Sequence, residues 1–142
     1  MKKSFLGNLF YLFCTALLVS CNSTSALQVG ELRCESLVNP LGIDNTSPHL
    51  SWILTSNEQG EEQHAYQVLV ASSEKLLSER KADLWNSGKI VSEQSTGLLY
   101  QGKPLTSKDM AYWKVRVWDK EGKATDWSKP ACFAIGLLKP ED

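Results

Sequence analysis

Apolar and polar residues alternate in short runs along most of this chain. Leu32, Cys34 and Ser36 face one way and Arg33 and Glu35 the other, which predicts a strand over 31–36. In 49–54, Leu50, Trp52 and Leu54 share a face. In 66–71, Tyr66, Val68 and Val70 alternate with Gln67, Leu69 and Ala71. Residues 83–89 predict a strand that runs into a turn at Asn86-Ser87-Gly88, and 95–100 a weaker strand ending at Gln101-Gly102. The clearest alternation is 111–119. Ala111, Trp113, Val115 and Val117 form an apolar face; Tyr112, Lys114, Arg116 and Trp118 form an amphipathic, partly solvated one. A last strand is predicted over 131–137.

The breaks between these runs carry turn chemistry. Residues 39–48 hold two prolines, a glycine and an Asn/Asp cluster, and read as a loop. Residues 57–63 are a polar, acidic turn, and 120–123 a hairpin turn. Ser72-Ser73 precedes a short run of helix formers over 74–80, enough for one or two turns. Seven short strands and no long helix predict an all-β, antiparallel β-sandwich of immunoglobulin or fibronectin type III kind.

The first 20 residues follow a different pattern. Lys2 and Lys3 lead into an apolar run over 5–19, shorter than the roughly 20 residues of a membrane span. This is the layout of a secretory signal peptide. Leu18-Val19-Ser20-Cys21 resembles a bacterial lipobox, which implies lipidation of Cys21 and a membrane anchor. Residues 21–30 are small and polar and are expected to be a tether, 31–138 the sandwich, and 139–142 a linker cut short before a further domain.

Charge and cysteine content narrow the partners. Without Lys2 and Lys3 the 15 basic side chains fall to 13 against 16 acidic ones, about −3 net. That balance excludes nucleic acid, whose phosphates need clustered Lys and Arg. Membrane attachment then rests on the lipid. Of the four cysteines, Cys14 leaves with the signal peptide and Cys21 is the lipidation candidate. An exported domain permits a disulfide between Cys34 and Cys132. The other reading of each is a small buried hydrophobe.

Candidate chemistry is sparse. Asp83, Glu93, Asp109, Asp119 and Asp126 fall in turns or at strand ends and read as solvated charges. His49 and His64 have no nucleophile or acid arranged around them. The sequence carries no phosphate loop and no metal-ligand spacing, so no catalytic residue, metal or cofactor is expected. The aromatic residues remain. Trp52 and Trp113 belong to the core, and Tyr100 is a further aromatic on a predicted strand. Trp85, Tyr112, Trp118 and Trp127 are the candidate contacts to a sugar or a neighbouring domain. The competing reading packs Trp118 and Trp127 across the last hairpin under Lys and Arg stems.

Several motifs occur in a familiar order. Trp52 on the second strand, Tyr66 opening the third, Leu105 before the sixth, Gly122 and Trp127-Ser128 resemble the fibronectin type III pattern. The tyrosine corner of that pattern falls on Ala111, with Tyr112 one residue on. Leu32-Arg33-Cys34-Glu35, Asn39-Pro40-Leu41-Gly42-Ile43-Asp44, Pro48-His49-Leu50-Ser51-Trp52, Asp83-Leu84-Trp85-Asn86-Ser87-Gly88-Lys89 and the 112–119 strand narrow it further. Together they resemble the N-terminal domain of bacterial α-L-rhamnosidases of glycoside hydrolase family seventy-eight. The resemblance implies an exported parent enzyme whose catalytic carboxylates lie in a downstream helical barrel. It makes this chain a non-catalytic accessory domain, with the membrane, that catalytic domain and rhamnose-containing glycans as expected partners. The alternative is a free-standing lipoprotein that binds carbohydrate or a protein. Surface-directed lipoproteins of such bacteria carry acidic residues after the lipidated Cys. Asn22-Ser23-Thr24-Ser25 has none, so the periplasmic face of the outer membrane is the expected location.

Overall fold

The computed structural model describes residues 24–142. The expected signal peptide and Cys21 lie outside the described residues. Nine strands are present among them: β1 (Leu27–Cys34), β2 (Leu41–Ile43), β3 (His49–Ser56), β4 (Gln63–Ala71), β5 (Trp85–Asn86), β6 (Ile90–Val91), β7 (Leu98–Leu99), β8 (Met110–Asp119) and β9 (Ala131–Ile135). A single 3-10 turn, Glu74–Leu76, is the only helical element described. The strands form two sheets, β1-β3-β7 and β2-β9-β8-β4-β5, with β6 also on β4. Pairing is antiparallel except between β2 and β9.

The sandwich architecture matches the alternation, and the count of seven strands is corrected to nine. The 39–48 loop contributes β2, whose parallel pairing with β9 leaves no alternation to read. The strand expected over 83–89, running into a turn at Asn86-Ser87-Gly88, is the short β5 with Gly88 (φ 63°) in its turn; β6 beyond it was not anticipated. The first strand begins at Leu27, inside the expected tether. Its register against β3 runs Gly30↔Ile53 and then Arg33↔Ser51, so β1 carries one extra residue. Glu31 takes φ 45° at that bulge. Leu27 is buried before it, Leu32 and Cys34 after it. The bulge flips the parity and hides the strand's first half from a period-2 pattern.

The core lies between the sheets. Trp52, Trp113, Phe133, Leu50, Val68, Val70, Val115 and Val117 are its largest buried members. Each fully buried side chain of this kind contributes about 1.5–3 kcal/mol, which makes this layer the main stabilising term. A smaller apolar cluster covers the other face of β4, where Leu69, Ala71 and Leu77 pack with Leu76, Ala82, Tyr112 and Trp127. The 72–84 segment folds back over that face, so β4 is buried on both sides.

No tyrosine corner forms at Ala111, which is buried, or at Tyr112, which lies on the outer face. Tyr100 makes the tyrosine-to-backbone bond instead. Its hydroxyl donates to the Lys103 carbonyl at 2.8 Å, and its ring meets Trp85 edge-on at 5.6 Å. Gly102 is required there. A Cβ at that position would lie 2.4 Å from the Tyr100 hydroxyl and 2.6 Å from the Leu84 carbonyl oxygen.

Between β6 and β7 the chain crosses from one sheet to the other. The buried amide of Gln63 satisfies that crossing. It accepts from Trp52 Nε1 at 3.0 Å and donates to the carbonyls of Ser92 (3.0 Å) and Gln94 (2.8 Å). Trp113 Nε1, equally buried, has no partner among the described residues. The two tryptophans therefore respond differently to truncation. Trp52→Phe strands a buried acceptor, whereas Trp113→Phe removes an unpaired donor. In chemical denaturation Trp52→Phe should cost about 1–2 kcal/mol more than Trp113→Phe, and Gln63→Leu about 2 kcal/mol or more. Equal losses for the two tryptophans would show that the Gln63 bonds carry no weight.

Candidate functional site

The outer face of the larger sheet collects most of the candidate aromatics. After the turn at Gly122, the 124–130 segment runs back along β8. Thr125 and Ser128 donate their backbone N–H groups to the Val117 and Val115 carbonyls at 2.9 and 2.8 Å. Their hydroxyl oxygens accept the N–H groups of the same two residues, at 3.2 and 3.0 Å. Two side-chain hydroxyls thus stand in for strand carbonyls, and the segment between them places Trp127 on the outer face. There Arg116 lies 4.9 Å from the Trp118 ring centre and 4.6 Å from that of Trp127. Lys89 sits 4.8 Å from Trp118 and Lys114 5.0 Å from Trp127. Contacts of this kind contribute about 0.5–2 kcal/mol each, depending on desolvation.

The guanidinium is also hydrogen-bonded. Gln67 Oε1 accepts from Arg116 Nε at 3.1 Å and Nη2 at 2.9 Å, and Glu79 pairs with Nη2. Gln67 Nε2 donates to Asn86 Oδ1 at 2.9 Å, and Asn86 Nδ2 donates to the Glu79 carbonyl at 3.2 Å. This network ties the 72–84 segment to the sheet. Burial, then the Arg116 charge, holds the Lys114 ammonium below its ordinary range. Both tryptophans are already in contact with this chain's own cations, which leaves little open aromatic face for a sugar ring.

Tyr112, Trp118 and Trp127 are thus brought together, and Trp85 is not. Trp85 pairs with Val70, and directly opposed residues share a face. Val70 points inward, so Trp85 packs against the inter-sheet core. Of the two readings left open for Cys34 and Cys132, the geometry favours separate thiols. Cys34 faces the core from β1, its thiol pushed up to about 12 by burial and, second, by the Glu35 charge. Cys132 pairs with Tyr112 and lies on the outer face of the other sheet. Sheet backbone separates them, and both are free.

The carboxylates are committed to structure. Asp119 is 2 % exposed and accepts from the Glu121 and Lys123 N–H groups at 3.0 and 2.8 Å, closing the β8 hairpin. Desolvation pushes its carboxyl up, but the Ser25 hydroxyl, those two N–H groups and the Lys123 charge outweigh it and hold the group below the ordinary range. Glu61, Asp119 and Glu121 come within 4.8 Å of one another. Glu35 accepts from the His49 backbone at 2.7 Å, Asn45 Nδ2 at 3.0 Å and His49 Nδ1 at 3.2 Å, and the His49 backbone bond is the main reason its carboxyl is lowered. The Ser72 hydroxyl does the same for Asp83. A general acid at neutral pH needs the opposite shift. Sequence reasoning missed the Glu35–Asn45–His49 cluster, of which Glu35 and His49 rim an open concavity of about 570 Å³ with Glu31, Arg33 and Ser51. Its members meet only through the β1–β3 register. It also missed Gln67 and Glu79 as partners of Arg116.

Two outcomes follow from this geometry. Arg116→Met keeps the stem and removes the guanidinium. It should cost about 1–3 kcal/mol and expose the 72–84 segment to limited proteolysis; unchanged cleavage would separate that segment from the network. The second concerns acid. Glu35, Asp83 and Asp119 have folded pKa values below their unfolded ones. Their stabilisation is present above the unfolded values, about 3.9–4.3, and is lost as pH falls through the folded ones. The melting temperature should stay level from about pH 7 to 5, fall below about 4, and fall less steeply in Asp119→Asn. A midpoint that rises on acidification would contradict the assignment.

Comparison with known proteins places this geometry. Residues 29–139 match the family model described as the Rha78A-like, N-terminal immunoglobulin domain. An α-L-rhamnosidase of Formosa agariphila is 42% identical over 123 residues, 84% of this chain and 13% of that protein. One from Streptomyces avermitilis is 45% identical over 114 residues, 80% of this chain and 11% of that protein. The crystal structure of the Streptomyces avermitilis α-L-rhamnosidase complexed with L-rhamnose superposes with a TM-score of 0.78 at 42% identity, over 82% of this chain and 11% of that one. The α-L-rhamnosidase from Dictyoglumus thermophilum gives a TM-score of 0.75 at 37% identity, over 80% of this chain and 13% of that one. The chain spans 11 to 15% of the length of these curated relatives. With its sandwich matched almost end to end, the chain belongs to the Rha78A-like N-terminal immunoglobulin domain family.

Proposed function

We propose that this domain is the non-catalytic accessory and scaffold module of an exported α-L-rhamnosidase, held at the membrane by a lipid on Cys21. The observation that carries the reading is the short share of each rhamnosidase that this fold accounts for, 11 to 15% of the length. The carboxylates support it, since Glu35, Asp83 and Asp119 are all shifted away from a general acid's needs. Inverting glycoside hydrolysis needs an acid and a base about 6.5–9.5 Å apart across a sugar-sized pocket. The parent's hydrolysis of terminal α-L-rhamnosides would then belong to the remaining length. β1 begins six residues after Cys21, so a lipid on that residue would keep the sandwich within about 20 Å of the membrane. The polar residues after Cys21 favour the periplasmic face of the outer membrane.

Two preparations test the two parts. Residues 22–142 should melt cooperatively and show no turnover of a chromogenic α-L-rhamnoside beside the Formosa agariphila relative. The full chain made in a bacterial host should take up labelled palmitate and float with membranes, and Cys21→Ser should do neither. Turnover that follows the folded domain through unfolding and refolding would end the accessory reading. Unchanged flotation of the Cys21→Ser variant would end the lipid anchor.

A further inference from the structure

The sandwich keeps one end apolar, and that end is where its last strand finishes. Leu41 on β2, Ala134 on β9 and Met110 on β8 form one row, because Ala134 is the register partner of both. Leu41 is 72% exposed and Met110 37%. Just beyond β9, Leu137 is 65% exposed, with Leu138 beside it. The 37–40 segment borders the same row. Asn39 Oδ1 accepts from the Cys132 N–H at 2.9 Å and the Pro40 carbonyl from the Ala134 N–H at 3.0 Å. Its exposed Leu37 and Val38 sit to the side, Leu37 bridged to Cys34 of β1 and Val38 lining a separate concavity with Val29, Leu32 and Ala131. Four large apolar side chains, Leu41, Met110, Leu137 and Leu138, therefore gather at this end. The other exposed apolar residues are dispersed: Ile53 and Leu99 lie among His49, Ser51 and Arg33 on the smaller sheet, and Ile90 and Val91 on the short β6.

The departing chain is fixed at this end. Ile135 N–H donates to the Asp109 carbonyl at 2.8 Å and Gly136 N–H to the Ile43 carbonyl at 2.7 Å. Leu138 N–H donates to Ser107 Oγ at 3.0 Å, and the Asp142 carboxylate accepts from Lys139 N–H at 2.9 Å and also pairs with Ser107. The 139–142 segment, expected to be a linker, is a hydrogen-bonded turn. Its bonds set the direction in which a continuing chain leaves.

We propose that Leu41, Met110, Leu137 and Leu138 form the docking face for the domain that follows this one in the longer rhamnosidases, a partner that presents an apolar, weakly charged surface. The inference rests on the accessory-domain reading. The family is an N-terminal domain, so the other 85% or more of each relative lies beyond the matched region. A domain joined after residue 142 is present at millimolar effective concentration, and it meets first the surface beside its own tether. An apolar patch with a polar rim marks an interaction site, and Lys108, Asp109 and Lys139 supply that rim here. The fixed exit removes part of the ordering cost of docking.

The test compares backbone hydrogen exchange in the full chain alone and in the same chain joined ahead of the Formosa agariphila relative in place of its matching segment. Protection of 41–43, 107–112 and 136–142 should rise at least tenfold on joining. The double variant Leu41→Ser, Met110→Ser should melt within about 1–2 °C of the wild type when alone, since both residues are exposed, and should lose that added protection when joined. Protection confined to another face, such as 49–53, overturns the docking face and leaves the accessory reading standing. No added protection anywhere overturns docking altogether, and with it the scaffold part of that reading. Protection of the same segments in the isolated chain that grows with its concentration assigns the patch to a second copy and also overturns the proposal.

Discussion

The amide of Gln63 holds the point on which the rest of the sandwich depends. A two-sheet fold needs the chain to cross between layers, and a crossing segment leaves its carbonyls without a ladder partner. Here the crossing lies between Ile90–Val91 and Leu98–Leu99. Gln63, 5% exposed, reaches it from the start of β4 and binds two carbonyls there, while its own oxygen takes the Trp52 indole N–H. The Trp52 backbone N–H donates to the Ser95 carbonyl at 2.9 Å in the same region. Trp52 is thus oriented by polar bonds before its ring packs. A glutamate at position 63 could accept the indole proton but would turn a second oxygen toward the carbonyls. Only an amide offers one acceptor and two donors in this arrangement.

A second constraint is the treatment of β4's outer face. A central strand buried on both sides needs a cover, and the sequence supplies one too short for a helix. The 72–84 segment is held by the Arg116–Gln67–Glu79–Asn86 network and by three apolar contacts, Leu76, Leu77 and Ala82. Stacking Arg116 between Trp118 and Trp127 keeps the guanidinium in the plane that Gln67 and Glu79 require. The indoles then serve the fold, which lessens their value as a sugar platform and moves the search for a partner to surfaces with unspent apolar area.

How much of this was legible depended on whether a residue's neighbours are local. β8 was readable except at its end: Ala111, Trp113, Val115 and Val117 all face the core and the Lys and Arg side chains lie over the tryptophans, whereas Asp119, read as a solvated charge, is buried where it closes the hairpin. β1 was readable only after Glu31, because a one-residue bulge reverses which parity is buried. β2 was unreadable: three residues in parallel pairing leave no period. The side of the sheet that Trp85 faces was not legible, because a two-residue strand has too little pattern to set its face, which only the pairing with Val70 decides. Cys34 and Cys132 could not be placed from spacing, since a separation of 98 positions says nothing about which side of a sheet each occupies. The Glu35–His49 cluster was invisible for a related reason. Its hydrogen bonds span fourteen residues and exist only once β1 and β3 pair.

The distribution of exposed apolar area follows from the same economy of elements. A domain of this size cannot cover all of its apolar surface, and what it leaves open tends to be scattered. Here the outer face of the smaller sheet is broken up by Arg33, Ser51 and His49, and the outer face of the larger sheet is roofed by the 72–84 segment and its stacked cations. The end of the sandwich carrying Leu41, Met110 and Leu137 has neither device. It does have rigidity. The parallel β2–β9 pairing, the Gly136 N–H bond to the Ile43 carbonyl and the bonds at Ser107 fix its three segments against one another. An exposed apolar surface that is held rigid costs little further entropy to cover. An accessory domain that sets the position of a larger catalytic body needs that combination at its exit: a short, fixed tether and a preformed apolar face beside it.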